Sequence, residues 1–230
     1  HFFPEDDVEA LKDFFIAEAQ EISGGLILRA ARQTNNTSEL MGVVLSKYLV
    51  DSELPKNSPV CWCSLDDYSR WLGKTKGQIA DLLALAPSYR NDKPHLDIVV
   101  TEAKYLSGNV SKKEGESKTQ LTASVIQLAR ALSDSTEDRP LDQNLWLSRL
   151  SDILLSRLKR DNYNDKFSPE KWRQIVRDRE CTFSIRGYSH VFVQDEDALK
   201  SSRASGVKID ISTVSASQES FCQEDVSKLL

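Results

Sequence analysis

The chain has 230 residues, 40% of them hydrophobic and 28% charged, with nine glycines and seven prolines, which is the composition of an ordinary globular domain. Its length suits one large domain with a substantial core, and no apolar run approaches the roughly 20 residues needed to cross a bilayer. The net charge of −5 argues against a uniformly basic nucleic-acid-binding protein.

Positive charge is concentrated in one part of the chain. Between Leu147 and Arg186, ten Lys and Arg stand against six Asp and Glu, a local excess of four positive charges. A surface that contacts nucleic acid would have such an excess, and so would a solvated helix face. An acidic metal site elsewhere would lower the net charge without preventing contact with DNA.

The four cysteines do not form a recognisable zinc site. Cys61 and Cys63 make a C-x-C pair, whereas Cys181 and Cys222 stand apart. No second pair has zinc-ligand spacing, and no histidine cluster completes a set of four ligands. We therefore expect free thiols in a reducing compartment, which favours a cytoplasmic location.

The first third of the chain is predicted to be largely helical. Three segments have apolar residues at helical spacing: Asp7 to Ile22, Glu39 to about Val50, and Leu65 to Leu72. Gly24-Gly25 is expected to end the first helix, before a short strand at Leu26–Leu28. The turn Asn35–Ser38 offers capping residues for the second helix.

The centre of the chain has the pattern of a β-hairpin. Two short runs rich in aliphatic residues, Ile79–Leu85 and Leu96–Glu102, flank Pro87–Pro94, which is dense in turn-forming residues. This order predicts two antiparallel strands joined by a longer loop. A polar loop from Ser107 to Ser117 and a helix from Lys118 to Leu132 are expected to follow. The inner stripe of this helix is expected to consist of Leu121, Val125, Leu128 and Leu132.

The C-terminal part is predicted to mix helices and strands. The expected elements are helices at Gln143–Arg160 and Glu170–Arg179, a strand pair at Cys181–Val193 pinched at Gly187, a short strand near Val207–Ile211, and a final helix after Gln218. Helices, a central hairpin, more helices and late strands together predict an α/β fold whose mixed sheet has few strands.

One domain is expected over residues 1–230, with a core from about 37 to 195 and a C-terminal extension from 196 to 230. The chain begins at His1 without an initiator methionine. We therefore also expect it to be part of a longer protein.

The informative residues lie around the end of the second predicted strand. Successive side chains of a strand alternate between its faces, so Glu102 and Lys104 project on the same side. If Pro87 pairs with Leu96, the antiparallel register places Asp81 opposite Glu102. Two carboxylates and an ammonium group would then converge at one end of a hydrophobic hairpin.

This set of groups suits the hydrolysis of a phosphodiester. Mg²⁺ binds through one or two carboxylates and keeps several waters, and it polarises a phosphoryl oxygen and lowers the pKa of bound water. A lysine general base would need a lowered pKa, whereas adjacent carboxylates raise it. We therefore expect Lys104 to orient the attacking water and to stabilise charge.

A surface ion pair is the simpler interpretation of an E-x-K sequence on a strand. Two observations favour chemistry instead. Ile98–Val100 is apolar enough to be a buried strand, and charges that end a buried strand need a reason. Asp81 also provides an acidic residue at matching depth on the preceding strand.

The central segment has an acidic residue, Asp81, then a hairpin, and then the sequence Asp97-Ile-Val-Val-Thr-Glu-Ala-Lys104. This segment resembles the PD-(D/E)XK nuclease superfamily. The resemblance covers roughly Glu39 to Leu132 and implies a restriction-endonuclease-like mixed sheet flanked by helices, here with extra C-terminal helices and strands. It implies that Asp81 and Glu102 bind Mg²⁺ or Mn²⁺ and that Lys104 is the catalytic lysine. Ala80 stands where the superfamily name has proline.

The same resemblance suggests further site residues. Members often add a glutamate on the helix before the hairpin, where Glu39 lies, although a favourable charge in a first helical turn explains Glu39 equally well. A related branch uses a glutamine on the following helix, as Gln120 or Gln127 would supply, unless both simply face solvent. Lys112, Lys113 and Lys118 are candidates for phosphate contacts or for a solvated surface.

Other polar residues are expected to be structural. Asp97 lies five residues before Glu102, hence on the opposite face, and is interpreted as a strand-start residue. His95 and His190 have no partner at a suggestive spacing. A structural role is favoured for His190.

The hypothesis is thus a Mg²⁺-dependent deoxyribonuclease acting in bacterial defence or restriction. Glu102–Tyr105 and Gly187–Phe192 also resemble nuclease segments attached to helicases of phosphorothioation-dependent restriction, which implies a helicase or ATPase partner. The alternatives are a catalytically weak DNA-binding or scaffold module of a larger helicase complex, and a helical adaptor whose E-x-K is a surface feature. No membrane partner is expected.

Overall fold

A computed structural model describes residues 5–23, 34–56, 58–68, 79–132, 143–158, 165–195, 197–211 and 214–229. The expected Gly24-Gly25 helix end and the expected strand at 26–28 lie outside these residues. So do the C-terminal parts of two expected helices, from 69 to 72 and from 159 to 160.

Helices account for much of the described chain. They are α1 (Glu5–Ile22), α2 (Thr34–Glu53), α3 (Val110–Ala131), α4 (Gln143–Arg157), α5 (Pro169–Arg177) and α6 (Gln223–Leu229). Short 3-10 turns lie at Leu65–Tyr68 and Asp165–Phe167. The expected helix from Leu65 therefore begins as a 3-10 turn, and the other expected helices are confirmed with shifted ends.

A six-stranded mixed sheet forms the centre of the fold. Its strands are β1 (Cys61–Ser64), β2 (Leu82–Arg90), β3 (Lys93–Leu106), β4 (Thr182–Val193), β5 (Arg203–Gly206) and β6 (Val214–Phe221). They lie in the order β1-β2-β3-β4-β6-β5. The β3–β4 and β4–β6 pairs are parallel, and the other pairs are antiparallel. The predicted α/β class with a mixed sheet is confirmed.

Helices cover both faces of the sheet. One face packs against α3, α4 and α5, and the expected inner stripe of α3 is confirmed because Leu121, Val125, Leu128 and Leu132 are all buried. The other face packs against α1 and α2. The central strand β3 is therefore buried on both sides, as a strand between two helical layers must be.

The hairpin has a tight turn instead of the expected longer loop. Pro87 and Pro94 both lie within strands, and only Asn91 and Asp92 remain in the turn, with φ of 50° and 60°. Two consecutive residues with positive φ match the twist of a hairpin, and Asn and Asp tolerate this conformation well. Pro87 pairs with Leu96, so the expected register is confirmed.

Two segments predicted as loop or turn are helical. The segment 35–38 lies inside α2, which begins at Thr34. The segment 107–117 is loop only as far as Asn109, and α3 begins at Val110. In α3 Lys113 pairs with Glu116 three residues away. This ion pair stabilises the helix, although the polar sequence predicted a loop.

The late strands also differ from the prediction. Residues Thr182–Val193 form one continuous strand instead of a pair, and β5 and β6 lie on either side of the expected strand at 207–211. Gly187 does not bend β4. A Cβ at Gly187 would lie 2.9 Å from Val125 Cγ2 and 3.2 Å from Leu121 Cδ1, so the glycine lets α3 approach the sheet closely.

Substituting Gly187 by alanine should therefore destabilise the protein, by about 1–3 kcal/mol, because the added methyl group overpacks the contact with Val125. Chemical denaturation would measure the loss. Gly206 is the matched control, since a Cβ there meets nothing within 4 Å. Equal costs at both glycines would contradict the packing argument, as would an unchanged cost of Gly187→Ala in a Val125→Ala background.

Candidate active site

The start of β2 and the end of β3 bring the two expected carboxyl groups together. The Asp81 N–H donates to the Thr101 carbonyl at 3.0 Å, and the Ala103 N–H donates to Asp81 Oδ2 at 2.9 Å. The hairpin register extends directly to this point, since Leu82 pairs with Thr101. Asp81 is therefore held beside Glu102 by backbone groups, as the register argument predicted.

Glu102 is fully buried, with a relative exposure of 0%. The Lys104 ammonium contacts its Oε1 atom, and the Lys104 side chain keeps 24% of its surface exposed. Beyond that ammonium, no donor among the described residues forms a directed hydrogen bond to either oxygen of Glu102. A buried carboxylate normally has several such donors, so this one retains unused capacity for a cation.

Burial and mutual repulsion determine the protonation of the pair. Burial raises the pKa of Asp81 from 3.8 to about 6, although Lys104 and the Ala103 N–H oppose the shift. Burial and the neighbouring Asp81 raise the pKa of Glu102 well above its ordinary value, again against Lys104. Burial lowers the pKa of Lys104, but the two carboxyl groups outweigh burial and leave it raised. One ammonium group thus balances two carboxyl groups.

Helix α3 covers the site through two serines. The hydroxyl groups of Ser117 and Ser189 lie 2.7 Å apart, and Ser189 is the β4 partner of Glu102. Ser124 Oγ accepts a hydrogen bond from the Ala80 N–H at 2.9 Å, directly before Asp81. These two contacts fix the helix against β4, beside Glu102, and against the segment that carries Asp81.

The two candidate glutamines occupy different positions on α3. Gln120 lies three residues after Ser117 and four before Ser124, so it shares their face between the two contacts with the site. Gln127 lies almost two turns further along α3, which runs away from the end of β3. Of the two, Gln120 lies between the serines that contact the site.

Glu39 lies on α2, and its charge raises the pKa of Asp81, so it is an electrostatic neighbour of the site. The three candidate lysines separate along α3. Lys113 contacts Glu116 at 2.7 Å, and Lys112 lies 4.0 Å from the same residue. Lys118 is near Glu114, on the flank of α3 that faces β5 and β6.

Two acidic neighbours of the site were not predicted from the sequence. Glu116 is close enough for its charge to raise the pKa of Lys104, and Asp66 raises the pKa of Asp81. Glu116 lay in the segment predicted as a loop, so its helical position relative to Lys113 could not be assigned. Asp66 reaches the site through the long-range pairing of β1 with β2, for which no local pattern gave a signal.

Asp97 lies on the face opposite to Glu102, as predicted, but it is not a strand-start residue. It sits within β3 and is buried, and it accepts hydrogen bonds from Ser184 at 2.6 Å and Arg90 at 2.8 Å. His95 beside it contacts Thr182 at 2.7 Å and Ser184 at 3.1 Å. These contacts join the N-terminal halves of β3 and β4.

His190 lies on β4 and is buried against α2, where its Nδ1 atom lies 3.0 Å from Ser46 Oγ. Burial lowers the pKa of His190 to about 3, so the ring is neutral near pH 7. All four cysteines are free thiols. Burial raises the pKa of Cys63 to about 12, which makes this thiol unreactive.

No group of three or more His, Cys, Asp or Glu that could hold a metal ion occurs in the part of the chain that the structure describes. The Asp81–Glu102 pair is a smaller set, of the size through which Mg²⁺ commonly binds. Within the same part of the chain, no helix is both long and apolar enough to cross a membrane. Comparisons with protein-family models, curated proteins and solved structures find no match for this chain.

Neutralising Asp81 should stabilise the metal-free protein at alkaline pH. The pKa of folded Asp81, about 6, lies above its ordinary value of 3.8, so this carboxyl group costs stability increasingly as pH rises from about 4 to about 6. We expect Asp81→Asn to gain about 1–3 kcal/mol at pH 8 in EDTA and little at pH 4. Thermal unfolding at both pH values measures the difference.

The matched control is Asp210→Asn, since the Asp210 side chain is 86% exposed and should change stability little at either pH. A loss of stability for Asp81→Asn at pH 8 would contradict the prediction, because the hydrogen bond from Ala103 would then outweigh the cost of burial and charge repulsion.

Proposed function

We propose that this chain is a Mg²⁺-dependent deoxyribonuclease, also active with Mn²⁺, with Asp81, Glu102 and Lys104 at its active centre. The observation that carries the proposal is the fully buried Glu102 carboxylate, which lies beside a second carboxyl group and lacks donors other than Lys104 among the described residues. Burial and mutual repulsion raise the pKa of both carboxyl groups, and a cation that binds both would stabilise their charged forms.

Asp81 and Glu102 would hold the cation, because carboxylate oxygens are the ligands that Mg²⁺ prefers. When bound, Mg²⁺ supplies a polarised phosphoryl oxygen and a water of lowered pKa. The rigidity of both side chains is consistent with this role, since Asp81 is fixed by the Ala103 N–H and Glu102 by burial in β3. Glu39, close to Asp81, is a candidate additional acidic residue.

Lys104 would stabilise negative charge that develops on the phosphate and orient the attacking water. The two carboxyl groups raise its pKa, so Lys104 is protonated near pH 7 in the metal-free protein, which favours charge stabilisation over general-base catalysis. Gln120 projects from the face of α3 that meets the site, where an amide can orient water or substrate. Lys113, and less directly Lys112 and Lys118, would contact phosphate groups of DNA.

The proposal also includes a restriction-endonuclease-like fold and a role in bacterial defence. The succession of an acidic residue, a hydrophobic strand ending in E-x-K and a following helix supports a restriction-endonuclease-like fold, since all three meet at one site of a mixed sheet. A role in bacterial defence, beside a helicase or ATPase module, remains a proposal from the sequence resemblance. The free cysteines support a reducing, cytoplasmic location.

The purified protein should nick plasmid DNA and shorten linear DNA with Mg²⁺ or Mn²⁺, and EDTA should abolish both reactions. Lys104→Ala should lower the rate by about 100-fold or more, because removing one group that stabilises charge in the transition state typically costs that much. Gel analysis of time courses measures both rates.

Lys208→Ala is the control for this substitution, because Lys208 is 89% exposed and lies outside the site. Equal cleavage by wild type and Lys104→Ala would place the activity elsewhere or in a contaminant. No cleavage by either protein, together with DNA binding that survives EDTA, would favour the catalytically weak DNA-binding module.

The two glutamines of α3 provide a separate test of the geometry. Gln120→Ala should reduce kcat by about 10-fold or more, whereas Gln127→Ala should change it by less than about threefold, because Gln120 alone lies between the contacts of Ser117 and Ser124 with the site. Both variants keep the helix, since alanine is the strongest helix former. A larger loss for Gln127→Ala would exclude this arrangement.

A further inference from the structure

Lys104 is the countercharge of the site. Its ammonium group contacts Glu102 Oε1, and its charge acts on Asp81 as well. A divalent cation held by the same two carboxyl groups would stand within a few ångströms of this ammonium group. Two positive charges at that distance repel each other strongly in a buried site. The ammonium group and the cation therefore compete for the negative charge of Glu102.

We propose that Lys104 and the divalent cation compete for Glu102, and that cation binding moves the Lys104 ammonium group from Glu102 to Glu116. This inference rests on the proposed function, because it takes Asp81 and Glu102 as the carboxylates that bind the cation. It assigns Glu116 as a positioning residue that holds the lysine in the cation-bound protein.

The surroundings of Lys104 permit this movement. The Lys104 side chain is 24% exposed, so its long flexible stem has an open side, whereas Glu102 is fixed by complete burial. Glu116 projects from the second turn of α3, and its side chain is 41% exposed. Helix α3 packs against β3, and the charge of Glu116 already acts on Lys104.

Glu116 is also held in place for this role. Lys113 contacts Glu116 Oε2 at 2.7 Å, and Lys112 lies 4.0 Å from Oε1. A carboxylate can accept several hydrogen bonds through its two oxygens, so these contacts leave room for a further ammonium group. After the movement, Lys104 would lie at the mouth of the site, where a phosphate group of the substrate enters.

Calorimetric titration of the EDTA-stripped protein with Mn²⁺ tests the competition without any measurement of cleavage. Lys104→Met should bind Mn²⁺ about tenfold or more tightly than wild type, because the competing charge is gone. Lys104→Gln guards against misfolding of the methionine variant and should behave alike. Lys104→Arg keeps the positive charge and should not bind Mn²⁺ more tightly. Unchanged or weaker binding by both neutral variants would overturn the inference.

A double-mutant cycle tests the part played by Glu116. Glu116→Gln should weaken Mn²⁺ binding about threefold in the wild-type background, since the displaced ammonium group loses its new partner. The same substitution should have no effect in the Lys104→Met background, where no ammonium group needs a place. An equal loss in both backgrounds would show that Glu116 acts on the cation directly, which would overturn its positioning role.

Asp81→Asn separates this inference from the proposed function. If Asp81→Asn weakens Mn²⁺ binding about tenfold or more while the neutral Lys104 variants fail to bind it more tightly, the cation site stands and the competition is wrong. If Asp81→Asn leaves Mn²⁺ binding unchanged, the cation site itself is misplaced and the proposed function fails with it.

Discussion

Glu102 is completely buried at the end of β3, beside Asp81 and a single ammonium group. The strands around Glu102 hold it in this unfavourable environment. A carboxylate in such a place would take up a proton or draw in a cation unless its neighbours prevented it. Because Asp81 is fixed by backbone hydrogen bonds, it cannot move away from Glu102. The repulsion between them is therefore built into the hairpin.

Three features of the fold hold these groups in place. The Asn91-Asp92 turn fixes the register of β2 against β3, and the parallel pairing of β4 with β3 closes the other edge. Gly187 then lets α3 lie close enough for its serines to reach both Ser189 and the backbone before Asp81. The site is thus assembled from segments more than 100 residues apart, and its parts depend on one packed core.

Much of the site could be predicted because it follows from residue spacing within one strand and one hairpin. Side chains alternate along a strand, which places Glu102 and Lys104 on one face. In an antiparallel pair the residue numbers of paired positions have a constant sum. The position of Asp81 opposite Glu102 therefore followed once Pro87 was correctly paired with Leu96. The inner stripe of α3 was equally local. Glu116 and Asp66 could not be found in this way, because their approach depends on where α3 begins and on how β1 pairs.

Two errors of prediction share one physical origin. Turn-forming and charged residues at 87–94 and 107–117 predicted loops, but tertiary packing outweighed these local preferences and extended β2, β3 and α3. The same packing argues against a surface ion pair at Glu102-Ala-Lys104. A surface ion pair would leave both partners in water, whereas Glu102 has no exposed surface and no donor besides Lys104 among the described residues. A pair in that environment lowers stability, which supports the proposal that a cation completes it.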